Sequence, residues 1–247
     1  MVQFETDFQV RLDALESDAR ACAAFAYTEY VLRHRAGADP AVGQLLNEHK
    51  AFWWPILSAL QKSTFLALGR IFDDDKATHN ARELLKFAES HLGIFSQQAL
   101  EARKIREGLD PLIAKKYAAA AYIRPRDGLA ALRAELESKQ DFYKSKLAPI
   151  RHQVYAHRAR LSAGARDALF ADLMLHDLEG IIVFTLQLER AVFKLYHDGR
   201  EPILQPAPTS IGDVMQALPE RHTSTWEHLH AAKDTSAFLD WLKANRG

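Results

Sequence analysis

The residues best placed to do chemistry form one short run, Arg151-His152-Gln153-Val154-Tyr155-Ala156-His157. An arginine grips a phosphate through two parallel N–H groups and offsets charge that builds on phosphorus. A histidine titrates near neutral pH and moves the proton of an attacking or leaving oxygen. The surroundings suit the same chemistry. Between positions 142 and 166 there is no Asp or Glu, while Lys144, Lys146, Arg151, Arg158, Arg160 and Arg166 fall there together with His152 and His157. In a chain of 32 basic and 32 acidic residues, that is a local excess of positive charge rather than a global one. A globally basic nucleic-acid surface is excluded, and a polyanion site has to be a local patch. The plainer reading is that Arg151 and His157 are solvated positions on a helix.

Spacing alone does not decide between the two. Arg190 and His197, and Arg221 and His228, show a similar spacing, with six residues between them against five between Arg151 and His157. Ala191 follows Arg190 where a polar residue would be wanted. Arg221 is followed by His222, but it lies after Pro219 and beside Thr223-Ser224-Thr225, a poor helix. On a regular helix, positions 151 and 157 are about 9 Å apart along the axis and roughly 120° apart around it. They flank one helix and line a common cleft only if a second surface closes over them. Pro149 predicts a kink or a new helix start just before Arg151. A start would leave free backbone N–H groups near Arg151, which also favour phosphate.

Stepping outward, the elements that must hold this run are helices. Ala, Leu, Glu and Arg dominate, glycine is scarce, and no alternating strand pattern or internal repeat is present. Helices are expected over about 7–35, 41–72, 81–91, 97–107, from Asp110-Pro111 to about 124, 127–147, 166–197 and 234–244. The second carries a stripe of Leu57, Leu60, Thr64, Leu68 and Ile71, and the 166–197 helix one of Leu178, Ile182, Thr185, Leu188, Val192 and Leu195. Ile181 to Phe184 alone reads as strand, but the flanking period argues helix. The chain is expected to stay helical through 151–157 and to loosen at Ser162-Ala163-Gly164. Four prolines, at 202, 206, 208 and 219, mark the change of texture after Gly199. Residues 1–198 are read as one helical bundle, and 199–247 as a loop and helical tail that packs on it or on a partner.

Other features carry weaker signals. Asp73-Asp74-Asp75 suits Mg²⁺ or a helix-end turn, and turn chemistry is preferred. Cys22 is the single cysteine, so neither an internal disulfide nor a zinc–thiolate cluster is expected. His228 and His230 would point to different helix faces, and neither a metal nor a cofactor is expected. Phe52, Trp53 and Trp54 read as core or as a dimer interface. Tyr155 either stacks on a base or packs its own helix. The most apolar stretch, 178–188, is broken by Glu179 and Gln187 and is too short to span a bilayer. With no signal-type run at the N-terminus, a cytoplasmic protein without membrane contact is expected.

Ile150-Arg151-His152-Gln153-Val154-Tyr155-Ala156-His157 resembles the signature of HEPN domains: an arginine, a polar residue, then a histidine after four to six residues. The Ala156-His157-Arg158 ending looks like the abortive-infection AbiU-like branch. So does a second block, from Phe52-Trp53-Trp54 to Leu66-Ala67-Leu68-Gly69-Arg70-Ile71-Phe72-Asp73. The resemblance implies an all-α HEPN-like helical bundle with a C-terminal helical and loop extension. It also implies a homodimer whose two motifs share a cleft, and a metal-independent endoribonuclease that leaves 2′,3′-cyclic phosphate ends. Arg151 would then neutralise the scissile phosphate, and His157 would be the general acid or base. His152, standing where asparagine or aspartate is usual, would orient the substrate or His157. Lys146, Tyr155 and Arg158 would contact the RNA. A toxin or abortive-infection antiviral effector is the implied role, with an antitoxin or defence-system protein as partner. The alternatives are a HEPN-like module that binds RNA, a nucleotide or a partner without cutting, and a structural protein whose partner docks on 199–247.

Overall fold

In a computed structural model the described residues are 2–156, 162–217 and 226–245, and no strand occurs among them. The order is α1 (Val2–Ala38), α2 (Pro40–Glu48), α3 (Lys50–Ile71), α4 (Ala81–Ser90), a 3-10 turn at Leu92–Phe95, α5 (Gln97–Arg106), α6 (Pro111–Ala119) and α7 (Pro125–Phe142). The helical path then continues through a π turn (Tyr143–Leu147), the short α8 (Ala148–Ile150) and a second π stretch (Arg151–Ala156). After these come α9 (Ala163–Ala171), α10 (Leu175–Asp198), α11 (Ile211–Ala217) and α12 (Glu227–Ala244). Ile181 to Phe184 lies within α10, as its flanking period requires.

Three expected boundaries are corrected. The 41–72 helix is two, because the chain turns at His49 (φ −107°, ψ 34°). The Asp39 carboxylate accepts the Ala41 N–H at 3.0 Å with Pro40 in the first helical turn, so α2 has its own start. The 166–197 helix is also two. Ser162, read as a loosening, caps α9 by accepting the Ala165 N–H at 3.2 Å, and α10 begins anew at Leu175.

The third correction bears on the motif. Pro149 does not open a fresh helix with free amides. Leu147, ahead of it, keeps helical dihedrals (φ −97°, ψ −37°), and the Arg151 N–H donates to the Ala148 carbonyl. Proline lacks the N–H that would bond one turn back, and wider π turns on either side take up the misfit. No helix N-terminus therefore faces a phosphate at Arg151.

The chain forms two compact units. One is built from Met1–Ser17, Arg70–Tyr143 and Gln187–Pro206, the other from Asp18–Gly69, Lys144–Leu186 and Ala207–Gly247. Of the segment expected as a tail, 199–206 belongs to the first unit and the rest to the second.

The first unit buries Phe8, Leu84, Leu85, Ile94, Leu129 and Val192. Phe8 meets Phe95 edge-on at 5.3 Å. Arg103 crosses this core and donates to Glu5 Oε1 (3.0 Å), the Ile94 carbonyl (2.7 Å) and the Tyr196 carbonyl (2.7 Å). Such pairing is the condition under which a buried charge is tolerated. The Asp73-Asp74-Asp75 run makes turn contacts. Asp73 accepts from the Asp75 N–H, Asp75 from the Ala77 N–H, and Asp74 from Gln140 Nε2 at 2.6 Å. Among the described residues, no group of three or more His, Cys, Asp or Glu converges as a metal site.

The second unit buries Tyr27, Val31, Phe65, Leu68, Leu147, Ile150 and Ile182. A further cluster joins Leu32, Val42 and Trp53 to Leu239 of α12. Arg35 Nη1 donates to Ser236 Oγ (2.5 Å) and Lys243 to Asp39 Oδ2 (2.8 Å), which ties α12 to α1 and α2 within this unit. Trp53 is core, whereas Phe52 and Trp54 stay exposed. Among the described residues no helix is long and apolar enough to cross a membrane.

Candidate active site

The site is made where the second π stretch lies along α3, within the second unit. Arg151 is half-buried. A Cβ placed on Gly69 would lie 2.2 Å from its Nε, 2.6 Å from Cδ and 2.7 Å from Cζ. The guanidinium end thus rests on bare helix backbone, and only glycine leaves room for it. Its Nε is buried without a hydrogen-bond partner among the described residues. One turn earlier on α3, Phe65 meets the Tyr155 ring at 5.0 Å and 33°. The pairs Gly69/Arg151 and Phe65/Tyr155 run in opposite senses, so the two helical segments pack antiparallel, each offering residues four apart. Phe170 of α9 faces the same Phe65 ring edge-on at 6.4 Å.

The remaining expected site residues are placed as follows. His152 is exposed next to Arg151. Tyr155 takes the packing position rather than an open face. Lys146 Nζ lies 3.8 Å from Asp172 Oδ2, with both side chains well exposed, a pair of small energetic weight. The stretch that is free of acids in sequence is therefore not free of them in space. His157 and Arg158 lie outside the described residues.

The histidines of the two similar spacings are both packed into the protein. His228 is fully buried, and its Nε2–H donates to the Pro208 carbonyl at 2.7 Å. Burial pushes its pKa down to about 4, against a smaller opposing effect of that hydrogen bond. His197 is also pushed down, by burial first, with Glu107 opposing, and its ring packs on Phe193 at 4.3 Å. Arg221 lies outside the described residues.

Sequence reasoning assigned no role to Gly69 or Phe65. The available signal was a glycine in mid-helix, which costs about 1 kcal/mol relative to alanine and calls for a packing or functional reason. Chemically, the arrangement is a cation held in place before any anion arrives. Less side-chain freedom is left to lose on binding phosphate than for an arginine free in solvent.

The chain matches the family model described as HEPN_AbiU2, AbiU2, over residues 5–207. No curated protein and no solved structure matches it.

Proposed function

Because this chain belongs to the HEPN_AbiU2 family, we propose that it is a metal-independent endoribonuclease with Arg151 and His157 as its working pair. His157 takes the proton of the 2′-hydroxyl, and the 2′-oxygen attacks the adjacent phosphorus. Arg151 offsets the charge on the five-coordinate phosphorus. The bond to the 5′-oxygen breaks, and an acid returns a proton to that oxygen, leaving a 2′,3′-cyclic phosphate and a 5′-hydroxyl. The acid is His152 or the second copy's histidine in a homodimer. Lys146 and Arg158 add positive charge along the RNA, and Tyr155 sets the wall beneath Arg151. A toxin or abortive-infection role follows from the family, with an antitoxin or defence-system protein as the expected partner.

The observation that supports this reading is the seat of Arg151 on Gly69. A guanidinium end laid on helix backbone, with Nε unpartnered, fits a residue that waits for an anion better than one that serves the fold. The test is cleavage of single-stranded RNA in EDTA, with the product ends identified. Wild type should cut, and Arg151→Ala and His157→Ala should each lose about 100-fold or more, as removal of a phosphate-stabilising or proton-moving group does. Equal cutting by either variant overturns the assignment. RNA bound at low salt without scission would instead favour a binding module.

A further inference from the structure

A cavity of about 380 Å³ opens in the second unit beside the candidate site, and its wall includes Glu29, Tyr30, Arg33, His34, Phe65 and Leu178. That volume lies in the range of sites for small molecules, about 300–1,000 Å³. Two of its polar groups are underused. Glu29 is 4% exposed, and its carboxylate has Arg33 Nε (2.8 Å) as its one hydrogen-bond partner among the described residues. Tyr30 is 8% exposed, and its hydroxyl is buried with no hydrogen-bond partner among them. Both residues line the cavity, and a buried acceptor and a buried hydroxyl there are costly unless a ligand completes them. Phe65 adds an apolar aromatic wall, while Arg33 and His34 are exposed at the rim.

We propose that this cavity takes a nucleobase and selects guanine. Guanine presents a ring N–H and an adjacent amino group on one edge, the donor pair that a carboxylate accepts side by side. Cytosine and adenine offer an amino donor beside a ring acceptor, and uracil a single N–H between carbonyls. The Tyr30 hydroxyl then meets the neighbouring oxygen of the base, and the Phe65 ring offers it an aromatic contact. The rim cations suit the nucleotide's phosphate. Phe65 and Gly69 are separated by about 6 Å of helix rise, so the base pocket is one turn of α3 from the seat of Arg151. The placement beside the scissile phosphate rests on the nuclease reading; the preference for guanine does not.

Calorimetric titration of the full chain with GMP, AMP, CMP and UMP tests the pocket. GMP should bind at least tenfold tighter than the others. Tyr30→Phe keeps the ring and removes the hydroxyl, and Glu29→Gln keeps the shape and removes the charge; each should weaken GMP at least tenfold. Equal affinity for the four nucleotides, or GMP binding untouched by both variants, overturns the proposal. Single-stranded RNAs with and without guanine separate an RNA residue from a free nucleotide as the occupant. Cutting that ignores guanine overturns the selection of substrate. A GMP preference lost in Tyr30→Phe, with no RNA cut, leaves the pocket standing and sinks the nuclease reading.

Discussion

At the scale of residues, Arg151 owes its seat to a residue outside the motif. Arg151 occupies the space where any other residue at position 69 would carry a Cβ. Gly69→Ala should therefore act on the arginine and hardly on the fold. α3 gains up to about 1 kcal/mol of helix propensity, and the flexible end of Arg151 can swing aside. The unfolding midpoint should hold or rise slightly, while RNA cleavage falls by about 100-fold, the cost of misplacing a group that must meet the transition state. A variant that cuts like wild type would show that the seat has no part in catalysis. The run around Arg151 was legible because unusual residue types coincide there. Gly69 was not, because its reason lies in a partner some eighty residues away.

At the scale of elements, His228 anchors the start of α12 by its hydrogen bond to Pro208 and its contact with Tyr27 at 4.8 Å. Its folded pKa, about 4, lies below the ordinary 6.5. The unfolded chain then binds the extra proton, so stability is full above pH 6.5 and falls as pH drops toward 4. The loss from this group is about 3 kcal/mol over that window. Glu29 and Glu179 are pushed up by burial and act in the opposite sense, gaining stability as pH falls. The clean measurement is the difference between wild type and His228→Gln in urea melts from pH 7 to 4. That difference should narrow steadily on acidification; a gap that stays constant contradicts the buried neutral imidazole. Helix existence was legible from the 3.6-residue period, whereas the breaks at His49 and at 172–174 were not. Neither has the proline or glycine that usually marks a break, and both are set by what the flanking helices pack against.

At the scale of the whole molecule, stability and activity should respond to different residues. Arg103 holds Glu5 and two backbone carbonyls in the first unit, far in sequence from the motif. Arg103→Ala leaves the buried Ile94 and Tyr196 carbonyls short of a donor while Arg106 keeps Glu5 paired, and should cost about 2–4 kcal/mol of unfolding free energy. A midpoint unchanged in denaturant would contradict that account. If the proposed cleft is shared by two copies, RNA cutting per chain should rise with protein concentration and level off where sedimentation reports a dimer. Cutting per chain that is constant through a monomeric range would place a complete site in one chain.

The sequence by itself determined the helical class, the buried stripes and the single basic, acid-poor run, because those follow from local propensity, residue period and charge. It also carried the family resemblance, now matched over residues 5–207. Only the tertiary structure showed that Arg151 is half-buried and seated on Gly69, because such a contact depends on a partner distant in the chain. His197 and His228 are both pushed down in pKa by the walls around them. Arg151 rests on the bare backbone of Gly69, a helix neighbour that no spacing along the chain could have supplied.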